Sequence, residues 1–353
     1  PGTDEKYLTV DDLSASTISD YARFSFISQG GTSGTNMFRE DKANLTNNAV
    51  FWEIKDSVKQ HGKNGPTVQA YKTALNVLSS KSDSEFNLLT IPGIRNTGVT
   101  NFAIDMVEDR FDALYLMDID NYDANGVLVT TSAQVGDADQ TASNFSGLPY
   151  DSSFAAAYFP DVQMSVDGGD PVPVPATVGV LGAFANSDKM SAAWFAPAGF
   201  TRGTMDITAV QALLSRENLD NIYEAKINPI TSFPDSPYVV WGQKTLLKSA
   251  SSLDRINVRR LLIYIRRTVR AIALGFLFEP NRAETLEKFS AQINPFLQSI
   301  MDNQGLDRYK VKIDAETTTQ IDVENNTLRG KIYVQPAKTA EFISIDFVVS
   351  NTI

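Results

Sequence analysis

Residues 253–280 constrain the fold more than any other stretch, because they predict one long helix with two different faces. At about 100° per residue, seven apolar side chains fall within one arc roughly 100° wide. These side chains are Val258, Leu261, Leu262, Ile265, Val269, Ile272 and Phe276. Ser252 or Asp254 is expected to cap the first turn, and Pro280 to stop the helix. The sequence therefore predicts a helix that packs one apolar face against a core.

The second face of this helix is strongly basic, in contrast to the rest of the chain. The chain has 31 Lys and Arg against 42 Asp and Glu, a net charge of -11. Between Lys244 and Arg270 there are eight basic residues and one acidic residue, so this window is +7 and the remainder is -18. Positive charge concentrated on one face of an acidic protein favours docking to an acidic surface. Nucleic-acid binding is an alternative, but the surrounding negative field would repel phosphates.

Three roles are open for the arginines of this face. They can form a solvated helix flank, pair internally with Asp or Glu, or contact a partner. The predicted docking set is Arg259, Arg260, Arg266, Arg267 and Arg270.

Length and composition indicate a globular protein with a large core. The chain has 353 residues, of which 42% are hydrophobic and 21% are charged, enough for one large domain or two smaller ones. It has no cysteine, which excludes disulfides and thiolate metal sites. The first residue is Pro1 rather than Met, so we expect a processed or truncated fragment.

Strand and helix patterns alternate from Phe86 onward. Short apolar runs at residues 86–91 and 113–119 flank a predicted helix at 99–109, which indicates a parallel, buried strand pair. A longer strand is predicted at 155–166, a helix at 207–222, and strands at 309–313 and 328–334. The predicted fold class is α/β, a mixed sheet flanked by helices with a β-rich C-terminal end.

The last predicted strand, Phe342 to Val349, alternates between apolar and polar side chains. The strand begins at Phe342. Its apolar face is formed by Ile343, Ile345, Phe347 and Val349. Such a strand pairs within its own sheet or adds to the edge of a neighbour's sheet. On the residues alone, pairing within the chain is the favoured alternative.

Catalysis has one candidate, the Asp118-Ile119-Asp120 segment at the end of an apolar strand. Open α/β sheets place ligands at such strand ends, and paired carboxylates suit Mg²⁺, so a magnesium-dependent transferase is one hypothesis. Ordinary turn chemistry is the alternative. The only histidine, His61, lies in a Gly-rich loop without a nucleophile signal, so histidine-based catalysis is not expected. We therefore predict a protein that is not an enzyme and needs no cofactor.

Four segments, taken in order, resemble the C-terminal core of contractile phage tail sheath proteins. They are Ala196 to Gly203 (APAGFTRG), Ile227 to Ile230 (INPI), Asp254 to Leu261 (DRINVRRL), and Ile332 to Ala337 (IYVQPA) followed by residues 342–349. The resemblance covers about half the chain. The family's N-terminal arm is not recognisable, in keeping with a truncated start.

The resemblance implies a structural subunit that forms hexameric rings, stacked helically around a tail tube. It implies contraction on a signal from the baseplate, which drives the tube through the host envelope, with tail terminator proteins as further partners. Terminal arms of the family add strands to neighbouring sheets, which favours the intermolecular role for residues 342–349. The expected location is the virion tail, after assembly in the host cytoplasm, without direct nucleic-acid contact or membrane insertion.

The resemblance also implies a division of the chain. Residues 1–42, which are polar and turn-rich, are expected to be the trailing piece of an outer domain or a linker. Residues 43–353 are expected to form the sheath core domain with its C-terminal linking strand.

Overall fold

The computed structural model describes residues 45–341, with gaps at 56–61, 82, 130–135, 166–167, 235, 281, 314–316, 318–321, 323, 326 and 340. The chain divides into two compact units, residues 1–44 and residues 45–353, and the described residues all lie in the second. The predicted role of residues 1–42 and the predicted strand at 342–349 lie outside the described residues.

A five-stranded sheet forms the centre of the described unit. Its strands are β1 (Leu88–Thr90), β2 (Leu114–Asp118), β3 (Ala155–Phe159), β7 (Ile227–Thr231) and β8 (Val239–Val240), in that spatial order. The first four strands are parallel, and β8 pairs antiparallel with β7. Every residue of β2, β3 and β7 is buried, as expected for parallel strands covered on both faces. The predicted parallel pair and the predicted mixed α/β fold are confirmed.

Helices cover both faces of this sheet. The helices before the basic segment are α1 (Asn47–Lys55), α2 (Pro66–Ser79), α3 (Thr97–Arg110), α4 (Ala138–Ser146), α5 (Ala176–Met190), α6 (Gly199–Arg202) and α7 (Arg216–Glu224), with a 3₁₀ turn at Gly62–Asn64. Tyr115 and Met117 of β2 join the core that contains α3, whereas Leu114 and Leu116 join the core that contains α5. The alternation of side chains along β2 thus produces two cores, one on each face.

The C-terminal part adds a third core beside the sheet. Helix α8 (Ile256–Leu274) is followed by α9 (Ala283–Asp302) and by an antiparallel pair of strands, β9 (Leu306–Lys312) and β10 (Lys331–Pro336). Ile256 and Ile263 of α8 pack in the core under the sheet, whereas Leu261 and Ile265 pack against α9 and β9. Helix α8 therefore contributes side chains to two cores and connects the sheet to the C-terminal part of the fold.

Several local predictions need correction. The predicted strand at 155–166 is two strands, β3 and β4 (Val162–Met164), and β4 lies in a small antiparallel sheet with β5 (Val172–Val174) and β6 (Ala209–Val210). The predicted helix at 207–222 is helical only in α7, since β6 occupies its first part. Among the described residues, no helix is both long and apolar enough to cross a bilayer.

The start of α8 also differs from the prediction. Arg255 occupies the N-cap position, but its side chain makes no capping hydrogen bond, and the helix ends at Leu274 rather than near Pro280. The preceding residues form a separate 3₁₀ turn, Ser252–Asp254, in which the Ser251 side chain accepts a bond from the Leu253 N–H. Ser252 and Asp254 therefore belong to this turn and do not cap α8.

Candidate functional site

The first two arginines of the predicted docking set are buried inside the protein. The side chain of Arg259 is 8% exposed and that of Arg260 is 4% exposed. Arg259 donates a hydrogen bond to Ser153, and its guanidinium lies 3.9 Å from the ring centre of Phe154. Burial lowers the pKa of Arg259 to about 10, although Glu108 acts in the opposite direction. Arg259 therefore serves internal packing.

Arg260 makes an equivalent internal contact on the other side of α8. Its Nη2 atom lies 2.6 Å from Oδ2 of Asp188, and its guanidinium lies 5.0 Å from the ring centre of Phe184. Because both arginines lie where α8 is covered on all sides, a helical projection of the sequence could not separate them from the exposed arginines. Their internal pairing was one of the alternatives that the sequence left open.

The other three predicted arginines lie on the C-terminal half of α8, closer to the surface. Arg266 and Arg270 are exposed, and Arg267 is partly exposed. The guanidinium of Arg266 lies 4.6 Å from the ring centre of Phe111, and Arg267 forms an ion pair with the exposed Glu85. Arg266, Arg267 and Arg270 are thus the members of the set that a partner can reach. Three such charges form a short patch, and the nucleic-acid alternative gains no support from it.

Asp118, the first residue of the proposed magnesium site, has its carboxylate occupied by backbone and side-chain donors. It is 1% exposed at the end of β2. Its oxygens accept hydrogen bonds from the Gly93 N–H at 2.9 Å, the Thr177 N–H at 2.9 Å and the Thr177 hydroxyl at 2.8 Å. Burial raises its pKa, and the Gly93 bond and the charge of Arg95 oppose that rise. Asp118 ties the end of β2 to the start of α5.

The neighbouring acidic residues add no metal site. The pKa of Asp120 is raised by burial, and Asp123 closes its own turn by accepting bonds from the N–H groups of Asn125 and Val127. Among the described residues, no three His, Cys, Asp or Glu side chains are grouped so as to hold a metal ion. The transferase hypothesis for Asp118 and Asp120 is therefore not supported, and turn chemistry accounts for Asp123.

Glu341, the last described residue, is held by three separate parts of the fold. Its Oε1 atom lies 2.6 Å from Nε of Arg255 and accepts a bond of 3.0 Å from the Gln243 side chain. Its Oε2 atom accepts a bond of 2.6 Å from the Tyr223 hydroxyl. Thr339, two residues earlier, accepts a bond of 3.1 Å from Asn257 of α8. The point from which residues 342–349 depart is therefore fixed to the core.

The segments that carry the sheath resemblance meet around this point. A pocket of about 280 Å³ beside Glu341 is lined by Ala196, Ala198, Gly199 and Arg202 of the first segment and by Pro229 of the second. The third segment supplies Arg255 and Asn257, and the fourth leads through Ala337, whose N–H donates to the Gly305 carbonyl, toward Glu341. Segments far apart in sequence thus build one region around Glu341, where the described part of the chain ends.

Asn228 explains why an Asn-Pro pair occurs in the middle of β7. Its side-chain amide donates to the carbonyls of Ala157 at 3.0 Å and Lys244 at 2.8 Å, and its oxygen accepts from the Lys244 N–H at 2.6 Å. These bonds connect β7 to β3 and to the chain after β8. They add to the backbone pairing of β7, in which Pro229 has no N–H to donate. The motif is therefore structural.

Lys244 lies beneath the same region with an altered pKa. Its ammonium donates to the Tyr223 carbonyl at 2.8 Å and lies 3.2 Å from the Tyr223 ring centre. Burial lowers the pKa of Lys244 to about 8, helped by the charges of Lys226 and Arg255. Burial, and then the hydrogen bond donated to Glu341, raise the pKa of Tyr223 to about 12. No local sequence pattern points to Tyr223, Gln243 or Glu341, since only folding brings them together.

Two family models of sheath domains match consecutive parts of the sequence. Residues 64–246 match the phage tail sheath protein central domain, and residues 248–350 match the phage tail sheath C-terminal domain. The tail sheath protein of Vibrio phage KVP40 is 34% identical over 180 residues, which are 51% of this chain and 27% of that protein. The tail sheath protein of Enterobacteria phage T4 is 32% identical over 180 residues, with the same two shares. The matched region thus spans 27% of the length of each relative.

Solved sheath structures share the fold. The sheath of an extracellular contractile injection system (PVC), in its contracted state, aligns with a TM-score of 0.62 and 21% identity, over 78% of this chain and 75% of that chain. The contracted helical sheath of the anti-feeding prophage aligns with a TM-score of 0.60 and 21% identity, over 79% and 74%. The two domain matches cover most of the sequence and include the residues around Glu341. The chain therefore belongs to the phage tail sheath family.

Proposed function

We propose that this chain is the core of a contractile tail sheath subunit, a structural protein without catalytic activity. In this proposal, subunits form hexameric rings that stack helically around a tail tube, and contraction drives the tube through the host envelope. The observation that carries the proposal is the pair of consecutive sheath-domain matches, at residues 64–246 and 248–350. The proposed location is the virion tail, after assembly in the host cytoplasm.

The proposed mechanism needs two packings of one subunit, with the extended packing metastable. Contacts that hold the extended packing must be numerous but individually weak, so that they can break together. Exposed ion pairs of Arg266, Arg267 and Arg270 meet this need, because each contributes about 0–1 kcal/mol. Their proposed partners are acidic surfaces of the tube or of an adjacent subunit. The baseplate and the tail terminator are further proposed partners. In this proposal the energy for contraction is stored in the extended packing during assembly, so contraction needs no nucleotide.

The proposed link between subunits is the strand formed by Phe342, Ile343, Ile345, Phe347 and Val349. Two features support it. Glu341 is fixed to the core, so the strand has a defined origin. In the described part of the chain, β9 and β10 pair only with each other, so this sheet offers edges for an added strand. Main-chain bonds to such an edge would supply affinity, and the alternating apolar side chains would supply register.

Electron microscopy of the purified chain tests the function and the linking strand together. The unaltered chain is expected to form striated tubes. Ile345→Asp and Phe347→Asp place charges on the apolar face of the strand and should abolish tubes, whereas Ser344→Asp, on the opposite face, should not. Monodisperse particles under crowding and varied salt, from this chain and from the full-length protein alike, would contradict the sheath function. Tubes formed equally by all variants would contradict only the linking strand.

A further inference from the structure

The C-terminal half of α8 and the turn that follows it carry an exposed ridge of mixed chemistry. Two arginines, Arg266 and Arg270, are followed by three apolar side chains, Leu274, Leu277 and Phe278, which are 58%, 59% and 104% exposed. At about 100° per residue, Arg266, Arg270 and Leu274 fall within roughly 80° of one another on α8, and Leu277 and Phe278 lie in the turn that follows. Backbone bonds continue the helical turn after Leu274, since the Leu277 N–H donates to the Leu274 carbonyl. We call these five residues the ridge.

Contacts within the described chain do not account for the apolar end of the ridge. Phe278 points fully into solvent although its backbone has a φ of 70°, a conformation that bulky residues rarely adopt. Three large apolar side chains grouped at one surface point indicate an interaction site. Aromatic and arginine side chains together are also the residue types that contribute most to binding at protein interfaces.

Helix α7 and the adjoining pocket offer a complementary surface, which we call the socket. The exposed face of α7 carries Glu217, Asp220 and Glu224, spaced three and four residues apart and therefore on one side of the helix. Beside them lies the pocket of about 280 Å³, whose lining includes Leu219, Asp220 and Trp241. The socket thus joins an acidic stripe to an apolar depression.

Trp241, which lines the pocket of the socket, belongs to a cluster of aromatic rings. The ring of Trp241 lies 5.3 Å from the ring of Phe200 and 4.6 Å from the ring of Phe233, measured between centres. Phe200 is 50% exposed and Trp241 is 40% exposed. Arg202 also lines the pocket, but its guanidinium lies 4.9 Å from the Phe195 ring centre and donates to the Ala196 carbonyl. Its charge is therefore partly engaged by its own chain.

The ridge and the socket have opposite charge and matching apolar ends, and they belong to different parts of one chain. Assemblies that grow by stacking use such contacts between two different patches, one on each subunit. The chain outside the basic window is -18, so a second copy supplies the acidic surface that the ridge requires. The arginines of the ridge span about 6 Å and the acidic stripe about 10 Å along their helices, so the two can face each other.

We propose that the ridge of one subunit docks on the socket of a neighbouring copy, an inference that depends on the proposed sheath assembly. Phe278 enters the pocket beside Trp241, and Arg266 and Arg270 lie opposite Glu217, Asp220 and Glu224. The apolar contact forms the centre of the interface and the charges form its rim.

Cross-linking tests this contact cleanly because the chain has no cysteine. Phe278→Cys and Leu219→Cys are prepared as two separate proteins, mixed, assembled and treated with a short thiol cross-linker. Covalent dimers are expected only when both variants are present and only in the assembled fraction. Val77→Cys, an exposed position on α2, replaces Leu219→Cys as the control and should give no dimer with Phe278→Cys. Tubes that contain both variants without cross-linked dimers would overturn the proposal.

Charge exchange provides a second measurement. Arg270→Glu and Asp220→Arg should each raise the protein concentration required for assembly about tenfold, and the double variant should recover most of that loss. Circular dichroism should be unchanged, because both side chains are exposed. Tubes that form equally well from the single variants would contradict the contact but not the sheath function. Failure of both this chain and the full-length protein to form tubes would contradict the contact and the sheath function together.

Discussion

At the scale of single residues, the environment of a charge decides its role more than its type does. Arg260 and Arg270 lie on the same helix, yet Arg260 is 4% exposed and paired with Asp188, whereas Arg270 is exposed. A buried guanidinium needs a partner, because desolvation of an unpaired charge is costly. Arg260 therefore contributes to folding, and Arg270 is available for binding.

Removal of each arginine should separate these roles. Arg260→Ala removes a buried side chain that packs against Phe184 and leaves a cavity beside α8, so we expect a loss of about 2–3 kcal/mol in the free energy of unfolding. Arg270→Ala, the matched control, should change it by less than about 0.5 kcal/mol. Denaturant unfolding measures both. Equal stability of the two variants would contradict an internal role for Arg260.

Lys244 predicts a pH dependence of stability. Its pKa in the folded protein is about 8, below its ordinary value of 10.5, so between these values the unfolded chain binds more protons than the folded chain. Stability from this residue therefore rises with pH from about 8 upward. Melting temperatures at pH 8 and about pH 9.5 should show this rise in the unaltered protein and a smaller rise in Lys244→Met.

The pH range over which stability rises has an upper bound, set by two tyrosines with a raised pKa. The pKa of Tyr150 and Tyr223 is raised to about 12, mainly by burial, so ionisation in the unfolded chain above about pH 10 destabilises the fold. An identical rise in the unaltered protein and in Lys244→Met would contradict the proposed contribution of Lys244.

At the scale of elements, the ends of strands and helices are joined by a few buried polar side chains. Asp118 connects the end of β2 to the loop after β1 and to the start of α5 through its three accepted bonds. A carboxylate at a helix start satisfies free N–H groups and interacts favourably with the helix dipole. The acidic residue that the sequence offered as a metal ligand is therefore explained by helix capping.

Substitution of Asp118 distinguishes capping from metal binding. Asp118→Ala leaves the N–H groups of Gly93 and Thr177 without their acceptor, so we expect a loss of about 2–4 kcal/mol in the free energy of unfolding. Mg²⁺ should not change the melting temperature of either protein. A stabilisation by Mg²⁺ in the unaltered protein that disappears in Asp118→Ala would restore the transferase hypothesis.

At the scale of the whole molecule, charge is distributed unevenly. The window from Lys244 to Arg270 is +7 and the remainder is -18, but Arg259 and Arg260 are internal, so fewer positive charges reach the surface than the sequence suggests. The proposed assembly therefore uses a small basic patch facing an extensive acidic surface. Attraction of this kind is effective at short range and is weakened by salt.

Salt should accordingly control assembly. The protein concentration required for tube formation is expected to rise several-fold as sodium chloride is raised from about 0.05 M to about 0.5 M, because the Debye length falls. Arg266→Gln combined with Arg270→Gln should flatten this dependence. Light scattering across the salt series provides the measurement. A dependence of equal steepness in the unaltered and substituted proteins would argue against these arginines as contacts.

The sequence alone determined the fold class, the parallel strand pair and the position of the central helix. These features follow from local apolar patterns, which depend on neighbours in the chain. The resemblance of four short segments also identified the family. Where a strand is very short, as in β6, or where a proline interrupts a run, as between β3 and β4, the local pattern was misleading.

Only the tertiary structure decided which arginines are internal, because burial depends on elements distant in sequence. Ser153 and Asp188, which partner Arg259 and Arg260, precede them by 106 and 72 residues. The attachment of Glu341 to Tyr223, Gln243 and Arg255 likewise joins residues that no local pattern connects. Periodicity reports one face of one helix, whereas packing from several sides determines whether a charge on that helix binds a partner or supports the core.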